Sequence, residues 1–167
     1  MKTVNISLRA MEPEDLDVLY VVENDPELWT IGASNTPYSH FALKEFIANT
    51  TNDIYTDKQL RLVVDMDGEV AGLLDLIAFE PEHRRAEMGI VILERFRQKG
   101  VAQQAMKLLF EYCRSKLHLH QVYAWVPEDN IPSYKLFLSL GFHATVVKEW
   151  LFNGEVFKNA ALMQLFL

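Results

Sequence analysis

Between residues 60 and 116 the chain changes its apolar period, and the change falls across a short basic segment with one glycine. Leu60 to Met66 and Val70 to Phe79 are apolar runs of strand length, separated by Asp67-Gly68, a strong hairpin turn signal. A third run, Ala86 to Leu93, follows the turn Pro81-Glu82-His83. From about Val101 to Lys116 the spacing is helical, and Ala105, Leu108, Leu109 and Tyr112 are expected to face a core. Arg97-Gln98-Lys99-Gly100-Val101-Ala102 is the joint between strand and helix. Strands that bury apolar faces, followed at once by a long amphipathic helix, fold as a sheet covered by helices.

The flanking segments fit that plan. Asn5 to Arg9 alternate as a first strand, and Pro13-Glu14-Asp15 opens a helix whose apolar stripe is Leu16, Leu19 and Tyr20. Asp25-Pro26 ends that helix, and Ile31 to Tyr38 reads as a loop. A second helix is expected from about Ser39 to Asn49, with Leu43, Phe46 and Ile47 on one face. After the long helix come a strand at Gln121 to Val126 and a short helix at Pro132 to Leu140. The chain closes with strands Ala144 to Phe152 and Val156 to Phe166, joined by Asn153-Gly154. No linker or repeat interrupts this order. The expectation is one α/β (α+β) domain over residues 1–167, with a mixed, mostly antiparallel central sheet flanked by helices.

Composition narrows the class. Half of the 167 residues are apolar and no run of about eighteen apolar residues exists, so no helix is expected to span a membrane. The N-terminus lacks the apolar stretch of a signal peptide, and the protein is expected to stay in the cytoplasm. The net charge of −7 argues against a nucleic-acid partner and mildly favours a cationic one. A single cysteine, Cys113, excludes an internal disulfide and a multi-cysteine metal site. Its helical spacing from Ala102, Met106 and Leu109 reads as a buried structural thiol. No metal is expected: His118 and His120 flank a turn without a second ligand at useful spacing.

The joint carries the chemistry. A helix N-terminus offers unpaired backbone N–H groups and a positive dipole end, both favourable to phosphate. Gly100 lets a backbone approach an anion, Ala102 keeps the first turn uncrowded, and Arg97 and Lys99 add local positive charge. The spacing fits neither the Walker phosphate loop nor the dinucleotide fingerprint. Taken alone, the hexapeptide reads equally well as a plain loop with a solvated basic pair.

Its neighbours change that balance. Arg/Gln-x-x-Gly-x-Gly/Ala between an apolar strand and a long helix resembles the acetyl-CoA pyrophosphate loop of the GNAT acetyltransferase superfamily. Further along stand Val122-Tyr123-Ala124-Trp125-Val126, then Glu128-Asp129-Asn130, then a helix ending in Leu140-Gly141-Phe142. This is similar to the family's asparagine-helix-Gly-Phe element, and the resemblance runs from Leu8-Arg9-Ala10 to the final hairpin.

The resemblance implies a sheet splayed between its two middle strands, with the pantetheine arm of acetyl-CoA in the gap. Ile90, Val91 and Ile92 would offer backbone groups there, one N–H polarising the acetyl carbonyl. Arg97, Gln98, Lys99, Gly100, Val101, Ala102 and Gln103 would hold the pyrophosphate. Asn130 would hydrogen-bond the cofactor, and it also suits a helix cap. Many relatives carry a tyrosine as the acid for the leaving thiolate; that place is taken here by Phe137, which cannot donate a proton and keeps only a cofactor-side contact. Tyr134, one turn earlier, is the substitute candidate, against a packing role. Glu87, in Arg85-Ala86-Glu87-Met88-Gly89-Ile90, is the candidate to take the acceptor's proton, or else a strand-end charge paired with Arg84 or Arg85.

Within the superfamily, spermidine N-acetyltransferases and ribosomal-protein N-terminal acetyltransferases look most alike. The first group carries acidic residues in the loop between the first two helices. Here Thr30 to Tyr38 holds none, with Glu23, Asp25 and Glu27 just before it. The expected function is acetyl-CoA-dependent N-acetylation of a primary amine, either a small amine or a polyamine such as spermidine. A protein N-terminal amine is the second reading, and a non-catalytic acetyl-CoA-binding module the third. A homodimer or higher homo-oligomer fits an exposed edge strand in the final hairpin.

Overall fold

The structure, a computed structural model, describes residues 4–29 and 36–167. The expected loop at 31–38 therefore lies largely outside the described residues. Strand β1 (Ile6–Ala10) is followed by a 3-10 turn at Pro13–Asp15 and by α1 (Leu16–Glu23). Then come α2 (Pro26–Trp29), α3 (His40–Asn49), α4 (Ile54–Asp57), β2 (Leu60–Met66), β3 (Glu69–Glu80) and β4 (Arg85–Ile92). After them lie α5 (Val101–Ser115), β5 (Gln121–Pro127), α6 (Ile131–Ser139), β6 (His143–Phe152) and β7 (Phe157–Phe166).

The seven strands make one sheet in the order β1-β2-β3-β4-β5-β7-β6. Every neighbouring pair is antiparallel except β4 and β5. The β2–β3 turn is built as the sequence indicates. Asp67 and Gly68 both take positive φ (54° and 88°), the geometry whose twist matches the flanking strands. At the second hairpin the Asn153 side chain accepts from the Glu155 and Val156 amides, so β7 begins one residue later than its apolar run.

Each face of the sheet has its own core. On one face Leu19 of α1 and Leu43 and Ile47 of α3 pack with Val63 and Leu73 of the sheet. On the opposite face α5 sits over Val64, Leu74, Leu76, Met88 and Val122, joined by Phe137 and Phe142 from the α6 region. The buried stripe of α5 is Val101, Ala105, Met106, Leu109, Phe110 and Cys113. Leu108, expected in the core, is instead 42% exposed, because it falls to one side of that i, i+4 stripe. Cys113 is fully buried, and burial pushes its thiol up to about 12.

Two short helices were not legible in the sequence. Asp25 accepts from the Glu27 amide and so starts α2 where the apolar pattern only marked an end. Asp53 does the same for α4 through the Tyr55 amide, and Lys58 closes it in the left-handed conformation. Near β1, Asp15 is 4% exposed and holds both guanidinium nitrogens of Arg9, at 2.8 and 2.9 Å, and the Glu12 amide. That ion pair ties the first strand to the first helix.

Candidate active site

Strands β4 and β5 pair only at Arg85–Gln121, Ala86–Val122 and Glu87–Tyr123. Beyond that point β4 continues to Ile92 and β5 to Pro127 without pairing to each other. The sheet therefore opens just after Glu87, and residues 88–92 run along the opening with β3 on their other side. Ile90 and Ile92 turn their side chains to the α5 core, and Val91 turns its own to the α1 and α3 core. The Ile92 carbonyl accepts from Arg97 Nε at 2.9 Å, so the strand end and the following loop are clamped together.

The loop ends at an unusually bare helix start. Gly100 is the N-cap of α5 with φ of 74°, no side chain caps this terminus, and its first turn holds no acidic residue. A Cβ at Gly100 would come no closer than 3.9 Å to Gln104 Nε2, so the approach is open. Val101, Ala102 and Gln103 thus present backbone N–H groups that no intrahelical carbonyl can take. Gln98 also has positive φ, and Lys99 lies 5.8 Å over the Phe96 ring. These residues fit an anionic diphosphate: uncapped donors, a positive dipole end and basic side chains.

Glu87 stands at the last paired position before the opening and is half-buried. Among the described residues it makes no hydrogen bond or ion pair. Arg85 binds Glu80 and Arg84 binds the His118 carbonyl, so the alternative pairing with either arginine is not found. Burial raises the Glu87 carboxyl above its ordinary range. Its register neighbours are Ile77 on β3 and Tyr123 on β5. Burial, then the nearby Glu87 and Glu80, raise the Tyr123 phenol.

Beside it lies a cleft of about 250 Å³ lined by residues that include Glu23, Tyr38, Phe46, Arg61, Asp75 and Ile77. Arg61 holds both oxygens of Asp75, at 2.6 and 2.8 Å, and Glu23 at 2.5 Å. Burial works to lower the Arg61 pKa, but Asp75 and Glu23 outweigh it and keep the guanidinium charged. Sequence reasoning missed Arg61, Asp75 and Tyr123. The available signal was a charge at the inward phase of an apolar strand, which period two places on the same face as Val63 and Leu73.

The remaining expected residues fall on α6. Asn130 caps it, accepting from the Ser133 amide at 3.3 Å, and lines a second cleft with Pro127, Asp129, Phe152 and Lys158. Tyr134 is half-buried against the α5 core. Phe137 is 3% exposed and meets Phe142 edge-on, with ring centroids 4.9 Å apart. Its ring is part of the core.

The comparison with known proteins agrees with this geometry. A family model described as an acetyltransferase (GNAT) domain matches residues 5–143. The spermidine N(1)-acetyltransferase of Escherichia coli (strain K12) is 31% identical over 164 residues, 97% of this chain and 86% of that protein. Among solved structures, spermidine N-acetyltransferase from Vibrio cholerae in complex with CoA and spermine has the same fold. Its TM-score is 0.86 at 24% identity, covering 96% of this chain and 95% of that one. A dodecameric structure of the Vibrio cholerae enzyme gives 0.80 at 26% identity, covering 96% and 93%. The chain belongs to the GNAT acetyltransferase family, and it is an N-acetyltransferase.

Proposed function

We propose that residues 1–167 form one acetyl-CoA-dependent N-acetyltransferase domain whose acceptor is a small aliphatic primary amine, polyamines included. The observation that carries this reading is the opening between β4 and β5, with Glu87 at its closed end and the bare α5 N-terminus at the other. Acetyl-CoA supplies a thioester whose carbonyl carbon takes the amine lone pair as the C–S bond breaks.

The chain's own residues divide the rest. Val101, Ala102 and Gln103 hold the diphosphate through backbone N–H groups, and Arg97 and Lys99 add charge. Backbone groups of residues 88–92 line the opening, and one N–H there polarises the acetyl carbonyl. An alkyl ammonium has a pKa of roughly 10, so the acceptor needs a group that draws off its proton. Glu87 takes that role in this reading, directly or through a water; its half-burial, without a salt-bridge partner among the described residues, supports it. Phe137 offers no proton, and a thiolate with a pKa of about 8.5 leaves without one near neutrality. Tyr134 is held against the core and serves the groove by packing.

Charge and shape in the cleft favour an aliphatic polyamine or diamine. Glu23 and Asp75 line the cleft together with Arg61, and Glu87 stands nearby. Phe46 and Ile77 provide apolar walls for methylene segments. The relative named for spermidine supports the same acceptor class. The final hairpin is the proposed contact between copies: Trp150, Phe152 and Phe157 are 54%, 57% and 62% exposed, and β6 is an edge strand. A monomeric mass by light scattering would withdraw that contact.

The test is coenzyme A release on mixing the protein with acetyl-CoA and spermidine, short diamines or N-terminal peptides, beside an Ala102→Glu variant. Amine-dependent release that the variant loses is the expected result. Release with peptides alone would replace the acceptor class by protein N-termini. Tight acetyl-CoA binding with no release would leave a binding module.

A further inference from the structure

The cover that α1 and α3 give to the sheet stops at β4. Their core takes Val63, Val70, Leu73 and Val91 from the sheet, and none of its described members comes from β5, β7 or β6. On that face β5 carries Tyr123 and Trp125, since Val122, Ala124 and Val126 point into the α5 core. Tyr123 is in register with Glu87, and Trp125 stands two residues further along, where β5 has parted from β4. Trp125 is therefore on the β5 bank of the opening. Gly89 holds the same level on the β4 bank, and a Cβ there would meet no described heavy atom within 4 Å.

Trp150 of β6 stacks on Trp125, with ring centroids 4.9 Å apart and planes 17° from parallel. These are two of the chain's three tryptophans. A regular β6 would keep them apart. Val147 pairs with Ala160, and Ala160 with Pro127, which shares the face of Trp125. Three positions after Val147, a period of two would turn Trp150 to the opposite face. Instead the pairing breaks between Val147 and Leu151, leaving residues 148–150 against Asn159 alone. Glu149 takes a φ of 51°, and its amide donates to Asn159 Oδ1 at 3.0 Å. A bulge with a non-glycine residue in the left-handed region persists only where its surroundings hold it. Its result is an indole laid across β7, backing Trp125 from the side away from β4.

We propose that Trp125, backed by Trp150, is a specificity-determining residue that takes an aromatic ring carried by the acceptor amine. This rests on the reading that the acceptor nitrogen sits at Glu87, and it extends the acceptor class from plain chains to arylalkylamines. The cleft beside Ile77 and the indole beyond Tyr123 lie on opposite sides of Glu87. From Glu87 to Trp125 is one strand across and two residues along, a diagonal of at least about 8 Å between backbone positions. Both side chains are long enough to shorten it to the span of an amine two or three carbons from a ring. A flat ring gains on an indole through offset or edge-on contact, and a saturated ring of equal size does not.

The test compares kcat/KM for 2-phenylethylamine, 2-cyclohexylethylamine, butylamine, spermidine and an N-terminal peptide in the parent, Trp125→Leu and Trp125→Phe. The Kd of acetyl-CoA by calorimetry and Tm are measured beside them. The parent is expected to prefer the phenyl to the cyclohexyl amine by about fivefold. Trp125→Leu should bring that ratio close to one, and Trp125→Phe should keep part of it, while the acetyl-CoA Kd stays within about twofold. A parent without the preference, or a leucine variant that retains it, would overturn the inference. So would a tenfold weaker acetyl-CoA Kd, which would assign Trp125 to the cofactor. If Trp125→Leu does not fold, Trp125→Phe decides, and an undiminished ratio there overturns the inference. Turnover of spermidine with no turnover of the phenyl amine would overturn this inference and leave the acceptor reading standing. Turnover of the peptide alone, or of nothing, would overturn both.

Discussion

Asp15 and Glu87 are carboxylates drawn into the same protein and treated in opposite ways. Asp15 is held by two nitrogens of Arg9 and by a backbone amide, and the Arg9 hydrogen bond keeps its carboxyl below the ordinary range. Glu87 is half-buried with no such partner among the described residues, and burial raises its carboxyl. A partnered carboxylate stays ionised and fixes two elements together. An unpartnered one exchanges its proton at milder pH, which is what a group that accepts a proton from an amine requires. Position decides which is which: one lies at a strand-to-helix corner, the other where the sheet opens.

The largest effect expected from breaking this contrast is at Glu87. Glu87→Gln should lower kcat by a factor of about 10²–10⁴, the usual range for a positioned acid–base group. Acetyl-CoA binding should be unchanged by calorimetry. In the parent, kcat/KM should climb through an acid limb above the ordinary carboxylate range, and the variant should lack that limb. A variant that keeps both the rate and the limb would remove Glu87 from the reaction.

Asp15→Asn should leave kcat alone and cost about 2 kcal/mol in denaturant unfolding. That figure is below the 3–5 kcal/mol for breaking a fully buried pair, since the Arg9 side chain is 35% exposed. The pH dependence has opposite sign at the two sites. With its folded pKa lowered, Asp15 contributes stability in full above the unfolded value of about 3.9, and loses it as pH falls through the folded value. With its folded pKa raised, Glu87 contributes only at low pH and loses that contribution as pH rises through the folded value. Acid unfolding of Asp15→Asn should therefore show a weaker pH slope below pH 4 or so than the parent. An unchanged slope would mean the ion pair is not formed in solution.

The smallest effect is expected at Phe137. Phe137 is almost fully buried with its ring edge-on to Phe142, so an added hydroxyl there is expected to enter the core. Phe137→Tyr should change kcat by no more than about twofold, while an unsatisfied hydroxyl costs about 1–3 kcal/mol of stability. A tenfold gain in kcat would show instead that an acid at this place reaches the leaving thiolate.

What the sequence showed of this region is local structure. The open helix start at Gly100 is written in Arg97 to Ala102, and the two hairpins in Asp67-Gly68 and Asn153-Gly154. The corner that holds Asp15 carries a helix-opening signal in Pro13-Glu14-Asp15, while its ion pair with Arg9 depends on how the strand and helix meet. Leu108 was misplaced, because a residue at the margin of a helical stripe is buried or exposed according to what packs beside it. The short helices α2 and α4 went unseen, since one turn leaves no periodicity to read and an aspartate cap is their whole signal.

The sequence by itself determined the order of the strands and longer helices, the basic joint before the long helix, and the phenylalanine at position 137. Each depends on residues that are neighbours along the chain, where backbone propensity and side-chain type act directly. Only the tertiary structure decided that Arg61 holds Asp75 and Glu23, and that Glu87 makes no hydrogen bond or ion pair among the described residues. Those outcomes depend on strand register. A shift of one residue in any pairing would turn each of these side chains to the other face.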